Sequence, residues 1–214
     1  MAVMGIDLSA SSKRGSAFAL LDDKAGLIDC SQFFEPDELG GLLEKHKPEL
    51  VAIDAPLSLP LGLDCLEESH PCSPTQSYKG RSAEQDLARI GIGCFFTTKR
   101  SIIKGVIYRG QDISQRLSIQ GYRVIEVYPY ATKVILFGKK MPSKVTSRGL
   151  AYLKERVSTI VTGVEGYMDH LTHDGCDAIL AAYTAWLHGN DQTDALGIPE
   201  EGHIIVPKVS DRAT

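Results

Sequence analysis

Three stretches of the sequence close an apolar run on an acid: Gly5-Ile6-Asp7-Leu8, Ala52-Ile53-Asp54-Ala55-Pro56 and Val124-Ile125-Glu126-Val127-Tyr128-Pro129. A carboxylate at the end of a buried strand must be solvated at a sheet edge, hydrogen-bonded or bound to a cation. A fourth stretch, Thr172-His173-Asp174-Gly175-Cys176-Asp177-Ala178, reads as the start of a helix. Asp174 and Asp177 are three residues apart and His173 and Asp177 four, so the three side chains share one helix face. Taken singly, each acid is explained as a cap, with Asp174 as N-cap and Asp177 as the acid that completes a capping box. Taken together they read as one cluster. Converging carboxylates repel and raise one another's pKa. Hard divalent cations remove that conflict, and Mg²⁺ accepts carboxylates together with phosphate oxygens. Two such ions about 4 Å apart can activate a water and stabilise a leaving oxygen. All-oxygen ligation selects Mg²⁺ or Mn²⁺ over zinc.

The elements that must position these acids follow from hydrophobic patterning. Ala2 to Leu8, Ser16 to Leu21 and Leu27 to Phe33 read as a three-strand meander, with the turn Asp22-Asp23-Lys24-Ala25-Gly26 between the last two. Asp37 to Lys45 is a helix with Leu39, Leu42 and Leu43 on one face, and Leu50 to Ile53 is a fourth strand. From Leu57 to Thr98 the pattern weakens around Pro60, Pro71 and Pro74, with one short helix at Ala83 to Ile90. Residues 57–104 are therefore expected to form an insertion or lid within a single domain spanning 1–214. Ile102 to Gln120 is helical, Tyr122 to Val127 a fifth strand, and Tyr130 to Phe137, Gly149 to Val161 and Thr172 to Leu187 are helices. His203 to Val206 is a short terminal strand. In open α/β sheets the ligand crevice lies at the ends of the parallel strands, where three of the acids fall.

The chain has 214 residues, 27 acids, 23 bases and a net charge of −4. That length suits one elaborated domain with its own core. No apolar run approaches the roughly 18 residues of a membrane span. Met1 to Ser9 lacks the basic and apolar regions of a secretory signal, and Asp7 interrupts it. The five cysteines, odd in number and without paired spacing, fit reduced thiols and a cytoplasmic location. Cys65, His70 and Cys72 suggest a zinc corner, but their spacing matches no common zinc pattern and no second ligand pair follows, so they are read as loop thiols. Charge is uneven. Residues 20–70 carry twelve acids and three bases, whereas 79–116 carry eight bases and three acids, and 139–156 six bases and one acid. The basic stretches suit a phosphate backbone, or simply a solvated face.

The ordered motifs Gly5-Ile6-Asp7, Ile53-Asp54-Ala55-Pro56-Leu57-Ser58-Leu59-Pro60, Asp86-x-x-Arg89, Glu126-Val127-Tyr128-Pro129 and His173-Asp174-x-x-Asp177-Ala178 resemble domain-of-unknown-function family 429, described as predicted nucleases of the ribonuclease H fold. The late Asp174-x-x-Asp177-Ala178-x-x-Ala181-Ala182 pattern is similar to that of the Holliday-junction resolvase branch of that fold. The resemblance covers roughly Gly5 to Leu187. It implies an α/β fold: a mixed five-stranded sheet in βββαβαβα order, flanked by helices, with the insertion added. It implies metal ligation by Asp7, Asp54 and Asp177, and support from Glu126 and Asp174. His173 would orient a water or move a proton. Arg89, Lys99, Arg100 and Lys144 are candidate phosphate contacts. Tyr128 and Trp186 are assigned to the core rather than to base stacking.

The expected activity is hydrolysis of phosphodiester bonds in RNA or DNA by a water activated on carboxylate-bound Mg²⁺ or Mn²⁺, with no membrane partner. Two other classes compete. One is a nucleotide-binding phosphotransferase of the actin-like or sugar-kinase type, since Gly5-Ile6-Asp7-Leu8-Ser9 resembles a first phosphate loop. Ser9 to Ser12, however, lacks the glycine that lets backbone amides approach a phosphate. The other is a non-catalytic binding module that keeps the acids for capping and solubility.

Overall fold

The computed structural model describes residues 2–144 and 146–208. Val145, within the basic stretch 139–156, and the ends of the 1–214 span lie outside the described residues. The sheet contains β1 (Val3–Asp7), β2 (Ser16–Leu21), β3 (Leu27–Phe33), β4 (Leu50–Asp54), β5 (Arg123–Val127), β6 (Thr193–Ile198) and β7 (Gly202–Pro207). The helices are α1 (Pro36–His46), α2 (Ser82–Arg89), α3 (Lys104–Ile119), α4 (Pro129–Phe137), α5 (Ser147–Ser158) and α6 (His173–Gly189). The strand order is β3-β2-β1-β4-β5-β7-β6. β1, β2 and β3 form the expected antiparallel meander, and β1, β4, β5 and β7 run parallel. This is an α/β mixed sheet, with seven strands rather than the expected five.

Beyond the five, β7 is the expected short terminal strand and β6 is new, and the two form a C-terminal hairpin on the far edge. Thr193-Asp194-Ala195-Leu196-Gly197-Ile198 carries an acid and a glycine, and its residues are half-buried or exposed, so it shows no apolar alternation. It folds as a strand because β7 supplies the ladder and α2 covers it: the face of Ala83 is so close that a Cβ on Gly197 would lie 2.8 Å from the Ala83 Cβ.

Side-chain alternation divides the central strands between two cores. Met4, Ile6, Val51 and Ile53 enter a core with Leu39 and Leu43 of α1 and Ile113 and Leu117 of α3. Val3, Leu50 and Ala52 enter the other, beneath Ala178, Ile179, Ala181, Ala182 and Ala185 of α6. Gly5 shares that second face, and a Cβ there would lie 2.1 Å from the Ala182 nitrogen and 2.3 Å from the Ala178 carbonyl oxygen. Glycine on the strand and alanines on the helix thus allow β1 and α6 to approach closely.

Residues 57–104 are tied into this frame. Ala83 and Leu87 of α2 pack with Ala131, Val134, Ile204 and Val206. The Glu201 carboxylate, in the turn between β6 and β7, accepts from the Leu61 and Ser82 amides at 2.9 and 2.7 Å. Among the described residues no helix is long and apolar enough to cross a membrane.

Candidate active site

Asp7 and Asp54 occupy matching register positions at the ends of β1 and β4. Alternation continues the Val3–Gly5 face to Asp7 and the Leu50–Ala52 face to Asp54. Both carboxylates therefore rise on the side covered by α6. Among the described residues, no donor hydrogen-bonds to either one. Burial first, then the charges of Asp177 and Asp174, push the Asp7 carboxyl up to about 7, against the opposing pull of Lys144 and Lys133. Burial, followed by Asp7 and Asp177, holds Asp54 well above the carboxylate range. Two half-buried carboxyls with raised pKa values thus stand side by side on one face, without cationic hydrogen-bond donors of their own among the described residues.

The N-terminal turn of α6 meets them. Its N-cap is Thr172, whose hydroxyl accepts from the Gly175 amide at 3.1 Å. Asp174 is thus not the cap expected from sequence, and neither acid is needed to close the turn. Asp177 is 4% exposed and binds two lysines: Lys133 Nζ donates to Oδ1 at 2.8 Å and Lys144 Nζ to Oδ2 at 2.9 Å. Among the described residues, no three carboxylates bring their oxygens within 4.8 Å of one another.

Glu126 stands differently. β5 pairs Ile53 with Glu126, so Glu126 is one position out of phase with Asp54. A one-residue offset turns a side chain to the other face. Its carboxylate accepts from Arg81 Nη1 at 2.7 Å and Nη2 at 2.5 Å, and from the Leu57 amide at 2.8 Å. Arg81 is fully buried and also reaches Ser58 Oγ at 2.8 Å and Glu84 Oε1 at 3.2 Å. Glu84 in turn accepts from the Thr97 amide at 2.8 Å. The network fixes segment 57–104 to the end of β5.

Two cavities flank the carboxylates. One, about 250 Å³, is lined by Asp7, Asp54, Arg81, Glu126 and Tyr128, with Phe95, Ile103 and Val106 forming an apolar wall. Tyr128 packs against the core of α2 and α4, and it also lines this cavity and donates to the Gly93 carbonyl at 3.0 Å. The other, about 320 Å³, is lined by Lys133, Lys139, Lys144, His173, Tyr130 and Tyr152. His173 Nδ1 is buried there without a hydrogen-bond partner among the described residues, and burial, then Lys144, lowers the His173 pKa. The second cavity is therefore a basic hollow beside Asp177.

Among the expected phosphate contacts, Lys144 stands at the acids. The other three are engaged elsewhere: Arg89 pairs with Asp86, Lys99 donates to the His70 carbonyl and Arg100 lies 3.8 Å from Glu68. Trp186 stacks on Tyr183 and donates to the Asp23 carbonyl, remote from the acids in its contacts. The loop after β1 is closed by its own bonds: Ser9 Oγ donates to the Ser11 and Arg14 carbonyls, and Arg109 donates to the Ser9 carbonyl. Arg81, Lys133 and Lys139 escaped sequence reasoning. The signal available for the first was an arginine two residues ahead of an apolar helix face; Lys133 interrupts the apolar run of α4.

A family model described as "Protein of unknown function (DUF429)" matches residues 5–202. Similar solved structures include T. thermophilus RuvC in complex with Holliday junction substrate, at 14% identity and a TM-score of 0.45, covering 89% of this chain and 96% of that one. Another is Thermus thermophilus RuvC, at 13% identity and a TM-score of 0.46, covering 89% and 97%. No curated protein matches the sequence.

Proposed function

The chain belongs to the DUF429 family of proteins of unknown function, and from that premise we propose that it is a divalent-metal-dependent nuclease that hydrolyses phosphodiester bonds of RNA or DNA. The observation that carries this reading is the shared face of Asp7 and Asp54 beneath Asp177 of α6. The donor set fits Mg²⁺ or Mn²⁺. It is all oxygen, and its two strand carboxyls carry raised pKa values that a cation would bring down. The cation would supply Lewis acidity to a phosphate oxygen and ionise a water for attack.

The remaining work falls to the chain's own residues. Asp7 and Asp54 would hold the ion, with Asp177, now paired with Lys133 and Lys144, as the third candidate ligand. Lys133 and Lys144 line the basic hollow and would face the substrate's phosphate from it. Asp174 accepts a hydrogen bond from a water on the α6 side. His173, neutral at pH 7, takes a proton at its unpartnered Nδ1. Glu126 acts through Arg81 and the Leu57 amide, holding the cavity wall, and is left out of the ligand set.

The test is cleavage of branched DNA and of single-stranded RNA by the full chain in Mn²⁺ or Mg²⁺. Cleavage is expected with the wild type and a loss of roughly 100-fold or more in Asp7→Asn and in Asp177→Asn. Cleavage that survives both substitutions would overturn this reading.

A further inference from the structure

Segment 57–104 holds a second cluster of ligand atoms, apart from the carboxylates. Cys65, His70 and Cys72 each place one ligand atom within 4.8 Å of the other two, the one such group of three among the described residues. Their spacing, Cys-x4-His-x-Cys, follows no common zinc pattern, and it is the fold that gathers them. A turn in which the His70 amide donates to the Glu67 carbonyl at 3.2 Å folds the loop back on itself. The Cys72 thiol then lies 3.7 Å from the Cys65 carbonyl oxygen. The Cys72 amide donates to His70 Nδ1 at 3.3 Å, so that nitrogen is the acceptor, with its lone pair on the Cys72 side. Both cysteines are free and half-buried. Cys72 also packs against Leu63, Leu66 and Ile107, which holds the loop in place.

A tetrahedral zinc ion, with Zn–S near 2.3 Å and Zn–N near 2.1 Å, keeps its ligand atoms about 3.5–3.8 Å apart. Small rotamer changes bring a 4.8 Å cluster to that spacing. Thiolates and imidazole also select zinc over the oxygen-seeking Mg²⁺ or Mn²⁺.

We propose that Cys65, His70 and Cys72 form a zinc site with three protein ligands and a fourth position open to water. As the two Zn–S bonds form, each thiol releases its proton to solvent, and the His70 Nδ1 lone pair exchanges the Cys72 amide for the ion, with no change of oxidation state. Two thiolates neutralise the ion, so the neighbouring Lys99, whose ammonium binds the His70 carbonyl, is tolerated. The same apolar cluster includes Ile103, which lines the cavity at Asp7 and Asp54. Zinc here would stiffen the wall of that cavity without touching the carboxylates.

The experiment measures zinc in the full chain, purified under reducing conditions and dialysed with zinc, by elemental mass spectrometry and by competition with a chromophoric chelator. One zinc per chain is expected. It should be lost in Cys65→Ser/Cys72→Ser and kept in Asp7→Asn/Asp177→Asn. Cobalt substitution should give a thiolate charge-transfer band in the wild type that the serine variant lacks. His70→Ala changes an exposed side chain, and is expected to weaken zinc binding at least ~10-fold with an unaltered circular dichroism spectrum. The proposal fails if the wild type holds no more zinc than the serine variant, if zinc follows the aspartates instead, or if Cys65 and Cys72 are recovered as a disulfide under reducing conditions.

Discussion

Lys133 on α4 and Asp177 on α6 form a buried ion pair, Nζ to Oδ1 at 2.8 Å, with the lysine 7% and the aspartate 4% exposed. Lys144 completes the second oxygen of the same carboxylate, but its side chain is 58% exposed. The two lysines therefore differ in what their removal costs. Lys133→Met is expected to lower stability by about 2–3 kcal/mol, short of a fully broken buried pair because Lys144 remains. Lys144→Met should cost less than about 1 kcal/mol. Urea unfolding of the two variants checks both values. In the proposed mechanism Lys144 also competes with a cation for Asp177, so Lys144→Met should tighten Mn²⁺ binding several-fold in calorimetric titration. Weaker binding would show that the lysine helps the site instead.

The Asp7 carboxyl gives a pH dependence with a defined sign. Its pKa is about 7 in the fold against 3.8 for the free side chain. Between those values the folded state holds a proton that the unfolded state has lost. The carboxyl therefore favours the fold below about pH 4, and that contribution is lost as pH rises to about 7. Asp7→Asn removes the term. Without metal, the melting temperature of Asp7→Asn minus that of the wild type should grow from pH 4 to pH 7 and level off above. The shift alone sets an upper bound of about 4 kcal/mol, and solvent reaching the cavity reduces it to about 1–2 kcal/mol. Mn²⁺ should reverse the order at pH 7.5 by stabilising only the wild type. Parallel pH curves for the two proteins, without metal, would refute the assignment.

The sequence showed which strands end in acids, and those strands, β1, β4 and β5, are neighbours in the sheet. Apolar run, acid and breaker are local features, and local features survive into the fold. Phase is a property of pairing. Asp7 and Asp54 match in register, while Glu126 matches Ile53, and no single strand's sequence carries that offset. The partners of the acids were equally hidden. Lys133 lies 44 positions from Asp177 and Arg81 lies 45 from Glu126, so only tertiary folding brings these charges together. The β6–β7 hairpin was half-legible for a related reason: β7 is apolar, whereas β6 depends on β7 and α2 to order a half-exposed chain.

Arg81 and Glu126 test the separation of scaffold from site. Arg81 is fully buried among Glu84, Glu126 and Ser58. Arg81→Met leaves two buried carboxylates without their cation and is expected to cost about 3–5 kcal/mol. Glu126→Gln strands one arm of the guanidinium and should cost somewhat less. Because Glu126 sits off the Asp7–Asp54 face, Glu126→Gln should retain the Mn²⁺ stoichiometry of the wild type at temperatures where it is folded. Loss of Mn²⁺ binding in a folded Glu126→Gln protein would make Glu126 a ligand after all.

Gly5 links packing to chemistry. It lies two residues before Asp7, on the same face of β1, and α6 approaches so closely that a Cβ would sit 2.1 Å from one backbone atom and 2.3 Å from another. Backbone cannot yield as a flexible side chain can, so Gly5→Ala must push α6 outward. Overpacking of this kind typically costs about 1–3 kcal/mol, with more where backbone must move. The displacement also carries Asp177 and Asp174 away from Asp7. Gly5→Ala should therefore lose more Mn²⁺ affinity than its stability alone explains. Ala19→Gly offers the control, since it weakens the same core on the adjacent strand without widening the gap to α6. At matched stability, the Gly5 variant should bind Mn²⁺ at least several-fold more weakly than the Ala19 variant. Equal affinities would mean that the spacing of β1 and α6 does not set the geometry of the carboxylates.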